Sequence, residues 1–257
     1  MKNSILCILL FLLSCGQTEQ QGYSGERVIS LSPSITATLS DIGVSDLVVG
    51  RSSFCTAVSS EIPVVGDLYE IDYERLLLLR PTKVLVQQTA VGIDEHLLQL
   101  SEQEQFELYS WEINRIADIK KMHDELVELL DTKSDPMQLS LGDADILFPT
   151  RSLIMTAGGE GNHGLCFGKH TYLDDVLTLI GGTNVLETSG WVSLSLEDIA
   201  GLNPAAIVMV SDADFEISQG IISLDIPVIR CVHEDILIPS SKIVDVARVF
   251  KEKMADQ

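Results

Sequence analysis

Two stretches of this chain are written in one frame. ERLLLLRPTKVLV occupies residues 74–86 and EDIAGLNPAAIVM occupies residues 197–209. Without a gap, Glu74 aligns with Glu197, Leu76 with Ile199, Leu79 with Leu202, Pro81 with Pro204 and Val84 with Ile207. Each copy reads as a short amphipathic helix halted by proline, which a helix interior disfavours, followed by a buried β-branched strand. An αβ unit used twice points to a chain built of two similar α/β lobes. A length of 257 residues accommodates two lobes of roughly 100 residues each.

The similarity extends outward from the repeated unit. In the first half VISLS (28–32) reads as a strand, SITATLSDIG (34–43) as a helix ending at glycine and LVVGRSS as a second strand. A turn around Pro63 to Gly66, the helix from Glu74 and the strand KVLVQQ complete a βαβαβ pattern. The second half repeats the order with SLIMTAG (152–158), the helix TYLDDVLTLIGG (171–182), the short strand NVL, SLEDIAGLNP and AAIVMV; IPVIRCV (226–232) and the helix SKIVDVARVFKEKM follow. Strands that alternate with helices and are apolar without a two-residue period imply parallel-type sheets covered by helices. Between the halves, Ile116, Ile119, Met122, Leu126 and Leu129 form a helical stripe, predicting a linking helix within about 113–133. The expected N-lobe is then about 27–112 and the C-lobe about 134–257, with a ligand cleft between them.

The N-terminus carries a different signal. MKNSILCILLFLLSC has a basic start and an apolar run too short to span ~30 Å of hydrocarbon, so residues 1–15 read as a signal peptide. Its end resembles a bacterial lipoprotein box, which makes Cys15 the lipidated anchor and residues 16–26 a polar tether. The protein is expected at the periplasm or cell envelope as a membrane-anchored lipoprotein. Cys55, Cys166 and Cys231 remain in an exported, oxidising setting. One disulfide plus one thiol is compatible with that number, and the sequence leaves the pairing open.

Charge and motifs exclude several functions. The net charge is −21, or −22 without Lys2 of the leader, which opposes nucleic-acid binding. GGEGNHGLCFGKH (158–170) fails as a phosphate loop: three residues separate Gly164 from Gly168, and His170 stands where a magnesium-binding hydroxyl belongs. His163, Cys166 and His170 lack the partner ligands of a dedicated metal site, so the stretch is expected to be a flexible cleft-rim loop. No GxSxG elbow or triad signature is present. The expectation is a binding protein with no catalytic residues, metal or resident cofactor; the alternatives are an exported surface hydrolase or a protein-interaction lipoprotein on the same scaffold.

The segments RVISLSPSITATLSDIG, VVGRSSFC, IPVVGDLYEIDYERLLLLRPTKVLV, HTYLDDVLTLIGGTNVL and GWVSLSLEDIAGLNPAAIVMV together resemble the bacterial solute-binding proteins that deliver cobalamin, haem or ferric siderophores to ABC importers. The resemblance covers residues 27–257 and is nearest the cobalamin-binding branch, because Trp191 stands six residues before Glu197 as a cleft tryptophan does there. It implies two α/β lobes joined by a rigid helix, no enzymatic activity, and as partners an ABC permease and ATPase, a small-molecule ligand, and the membrane through the lipid anchor. A monomer is expected.

The resemblance also implies site residues. Phe54 falls where a ligand-contacting tyrosine is expected, and Leu68 falls where another cleft tryptophan would be, with Tyr69 adjacent. His233, Glu234 and Asp235 fall in the late cleft loop, where the cobalamin proteins are more aromatic. Glu74 and Glu197 match the glutamates, one per lobe, that dock with arginine pockets of the permease. The region from Ile116 to Ser152 is shorter than is usual in the family.

Overall fold

The structure, a computed structural model, describes residues 25–67, 69–103, 105–139, 151–157 and 164–255. The signal peptide with Cys15, most of the tether, Leu68 and His163 lie outside the described residues. In chain order the first lobe contains β1 (Val28–Ser30), α1 (Pro33–Asp41), β2 (Val48–Ser52), β3 (Val64–Gly66), α2 (Tyr73–Leu78), β4 (Lys83–Gln87), α3 (Glu95–Glu102) and β5 (Glu107–Trp111). Helix α4 (Ile116–Leu129) follows. The second lobe contains β6 (Arg151–Thr156), β7 (Gly164–Phe167), α5 (Tyr172–Leu179), β8 (Thr183–Asn184), β9 (Trp191–Leu194), α6 (Leu196–Leu202), β10 (Ala206–Ser211), α7 (Gln219–Ile222), β11 (Val228–Val232) and α8 (Ile243–Ala255).

The first sheet runs β3-β2-β1-β4-β5 and is parallel throughout. The second runs β11-β10-β6-β7-β9 and is mixed, because β7 is antiparallel to both β6 and β9. Only residues 157–163 connect β6 to β7. A parallel return needs a crossover of a dozen or more residues, so the strand must come back antiparallel. The expected cleft-rim loop at 158–170 is therefore partly a strand, β7, whose Cys166 and Phe167 are buried on opposite faces of the sheet, one in the outer cluster and one in the shared core. The expected turn at Pro63 to Gly66 is likewise partly strand, since β3 pairs along the edge of β2 after the proline.

Three apolar clusters fix the layering. Leu76 of α2 and Leu97 of α3 cover the outer face of the first sheet with Ile29, Val84 and Val86. Ile199 of α6 and Ile221 of α7 cover the outer face of the second with Leu153, Ile207 and Met209. The largest cluster spans both lobes: α1 and α4 bring Ile35, Leu39, Ile119, Met122 and Leu126, and α5 and α8 bring Leu173, Val176, Val246 and Phe250. Each fully buried leucine or isoleucine contributes about 1.5–3 kcal/mol. The lobes thus share a central helical layer, and α4 is part of it.

The repeated frame extends to the backbone. Helix α2 is capped by Asp72, whose side chain accepts from Arg75 N, and α6 by Ser195, whose side chain accepts from Asp198 N. Arg80 and Asn203, at the same place in the frame, both adopt positive φ, 47° and 46°, just before Pro81 and Pro204. Each copy therefore stops its helix with one left-handed residue and then enters a parallel strand.

Cys55, Cys166 and Cys231 are all buried thiols, and no disulfide joins them. Cys55 sits by α1, accepting a bond from Thr36 Oγ1 at 2.9 Å, Cys166 belongs to the outer core of the second lobe, and Cys231 belongs to the shared core. Burial pushes the thiols of Cys166 and Cys231 up to about 12. Thiolate is the reactive species. Ellman's reagent at pH 8 is therefore expected to label fewer than one thiol per folded molecule from these three within minutes and all three in denaturant; rapid native labelling of Cys166 or Cys231 would contradict this burial.

Candidate functional site

In open α/β sheets, ligands meet the carboxyl ends of the strands. Several expected ligand residues lie there. Phe54 follows β2 and is 64% exposed, although neighbouring Cys55 is buried. The reason is local. Arg51, buried in β2, donates to the carbonyls of Ser52, Cys55, Ser60 and Ile62, pinning the turn, and Phe54 N donates to Ser52 Oγ. The ring is left pointing outward. No sequence signal marks Arg51 as this anchor, because its partners are all main-chain oxygens.

Tyr69 follows β3 and is 85% exposed. Asp67 Oδ1 accepts from the main-chain nitrogens of Tyr69 and Glu70, at 2.8 and 3.1 Å, and so holds the turn. Gly66, at φ 119°, is required here: a Cβ would meet Glu70 O at 2.1 Å.

On the second lobe, Trp191 opens β9 and pairs with Phe167 of β7. Val192 and Leu194 pack against the outer cluster, so alternation turns Trp191 and Ser193 toward the face that carries the shared core. There the indole meets Phe167 edge-on at 6.3 Å and stays 44% exposed. Leu165, opposite Ser193, is 42% exposed on the same face. This Leu165, Phe167 and Trp191 surface was legible only in its tryptophan. A half-buried apolar wall beside a shared core suits a flat apolar ligand face.

His233 follows β11 and its N–H donates to Ser211 O at 3.1 Å, joining the ends of β10 and β11. Its Nδ1 stands 3.1 Å from Asp235 N, which donates to it. The Asp235 carboxyl is raised above its ordinary range, first by burial, against which the nearby His233 acts; Glu234 raises it further. Glu234 itself is exposed. His233 and Asp235 are thus brought together, whereas no contact joins Phe54, Tyr69 and Trp191 to one another among the described bonds and ring pairs.

Glu74 and Glu197 are both exposed and both stand two residues after the N-cap, on α2 and α6. Among the described residues neither carboxylate forms an ion pair, and the next buried residue in each helix, Leu76 or Ile199, anchors the helix on its sheet. The two acids occupy equivalent places on the outer helices of two lobes.

The chain belongs to the periplasmic binding protein family, whose model matches residues 28–221. That membership makes it a transport binding protein rather than an enzyme. An uncharacterized ABC transporter substrate-binding lipoprotein, YvrC of Bacillus subtilis, is 24% identical over 200 residues, covering 71% of this chain and 63% of the relative, which is under two thirds of the relative's length. A vitamin B12-binding protein of Yersinia pestis is 25% identical over 211 residues, covering 72% of this chain and 70% of that protein. The crystal structure of the periplasmic heme-binding protein HutB of Vibrio cholerae shares the fold with a TM-score of 0.70 at 14% identity, covering 90% of this chain and 98% of that one. Among the described residues no helix is long and apolar enough to cross a membrane.

Proposed function

We propose that the chain is the substrate-binding component of an ABC importer for cobalamin or a related tetrapyrrole or iron chelate, and that it hands its ligand to a permease and ATPase complex. The observation that carries this reading is the pair of exposed glutamates at the same helical position on two lobes, beside exposed aromatic residues at the strand ends. Ligand lies between the lobes against Trp191, Phe54 and Tyr69, with His233, Glu234 and Asp235 in the late cleft loop; Leu68, outside the described residues, is a further ligand contact in this reading. The relatives that bind vitamin B12 or haem support this ligand class. Cys15 tethers the protein to the membrane by its lipid, and the working unit is a monomer of an N-lobe, the linking helix and a C-lobe. The work is binding and presentation, with little hinge motion, because α4 is packed into the core that both lobes share.

The chain has two tryptophans, which makes the test direct. Trp111 is buried, with Nε1 donating to Glu125 of α4 at 2.6 Å, whereas Trp191 is half-exposed. Titration with cyanocobalamin, haem and ferric siderophores is expected to quench the fluorescence for at least one of them. In Trp191→Phe most of the quench should vanish, and Trp191→Ala should weaken binding roughly tenfold, about 1.4 kcal/mol, through the lost aromatic face. Absence of binding to every one of these ligands would overturn the reading.

A further inference from the structure

The two ends of the strands differ in charge balance: the amino ends mix cations with acids, Lys83 pairing there with Glu26 and Glu107. Arg27, Arg80, Lys83 and Arg151 stand at or just before the amino ends of β1, β4 and β6. The connections that leave the carboxyl ends are mostly acidic. DLYEID (67–72) after β3 holds three acids, DADFEIS (212–218) after β10 holds three, and HEDILIPSSK (233–242) after β11 holds two. Asp94 and Glu112 add one each to the connections after β4 and β5.

Those same connections hold two cations, both engaged in joining the lobes, and Arg75 and Arg230 reach two of their acids from neighbouring elements, Asp72 at 3.6 Å and Asp214 at 2.6 Å, leaving the other acids in excess. Arg115 is held by Asp175 of α5 through both of its carboxylate oxygens. Lys242 pairs with Asp41 at the end of α1. Arg51, inside β2, spends its guanidinium on four carbonyls. One more cation, Lys169, neighbours Trp191 across the β7–β9 pair through the bond from Gly190 N to Lys169 O, 2.9 Å.

Recognition of a carboxylate or an anionic chelate calls for arginine or lysine donors, and a cleft lined by one sign of charge focuses its field on whatever enters. From this we infer that the cleft selects a planar ligand without net negative charge, held by ring faces and neutral hydrogen bonds, and disfavours porphyrin dicarboxylates and anionic ferric chelates. The inference rests on the functional reading above and narrows it to one ligand class. Trp191 and Leu165 offer such a ligand an apolar wall that asks for no counter-charge.

The test uses one ring in two charge states. Full-length protein is titrated at low salt with haem and with haem dimethyl ester, which differ only in two carboxylates, and with cyanocobalamin. The neutral ligands are expected to bind at least tenfold more tightly than haem, and the gap should narrow as salt rises. The variant Glu70→Gln with Asp212→Asn and Glu216→Gln, all at exposed positions, should strengthen haem binding severalfold and leave cyanocobalamin unchanged. Haem binding as tight as its ester in the native protein, or haem binding that Lys169→Ala abolishes, would overturn the charge inference while leaving the importer reading intact. If none of the three binds and ferric siderophores do, the charge inference falls alone; if nothing binds, both fall.

Discussion

Glu74→Ala combined with Glu197→Ala is expected to reduce ligand uptake to the level seen without any binding protein, while the dissociation constant for ligand stays within twofold of the native value. The two carboxylates are exposed and stand far out on α2 and α6, so removing them leaves the cleft residues in place. A charge-assisted hydrogen bond contributes about 1.5–3 kcal/mol, so losing one per lobe weakens permease docking by about 3–6 kcal/mol, a factor of a hundred or more. Each single variant should fall between the native and double-variant levels. Both acids also lie in a first helical turn, where each stabilises its helix by ~0.3–1 kcal/mol, so a melting curve must accompany the uptake assay. Native uptake by a folded double variant would remove the docking role.

The second large effect is on stability. Asp175 of α5 reaches across the lobe junction: its Oδ2 accepts from Ile116 N, at the start of α4, at 3.0 Å, and both oxygens face the Arg115 guanidinium. The carboxylate is 16% exposed and the guanidinium 39%, so solvent screens the pair only partly. Asp175→Ala removes a helix cap and the partner of a half-buried charge together, for an expected loss of about 2–3 kcal/mol. In a chain of this size that lowers Tm by roughly 5–10 °C. Asp175→Asn keeps an acceptor for Ile116 N–H and should lose about half as much. Adding Arg115→Met to Asp175→Ala should recover part of the loss, because the stranded charge disappears with it. A loss below about 0.5 kcal/mol in Asp175→Ala, the size of an ordinary surface pair, would show that this contact does not hold α4 to the second lobe.

These two predictions draw on different kinds of information. Glu74 and Glu197 were visible in the sequence because everything that positions them is local: a capping side chain, one buried aliphatic residue, a left-handed residue and a proline within about ten positions. The strands entering and leaving that frame were legible for the same reason. Strands β3, β5, β7 and β9 and helices α3 and α7 were not separately legible. Each is short, and β7 and β9 owe their extended form to partners rather than to period; they pair with one another across more than twenty residues of chain. The segment around Leu165 therefore read as a glycine-rich loop, and only the pairing revealed an apolar surface beside Trp191.

The sequence by itself determined the repeated αβ unit, the two lobes and the equivalent acids on them, because helix caps, proline stops and buried strands follow from steric and solvation rules acting over a few residues. Tertiary structure alone decided that Asp175 caps a helix 59 positions away from its partner Ile116, that Arg51 holds the Phe54 turn, and that the acids of several separate loops gather at one end of the strands. Those arrangements depend on parallel strands returning in the same direction. Crossover helices carry the carboxyl ends of the parallel strands to one side, so charges distant in the chain come to share a field that no local window of sequence contains.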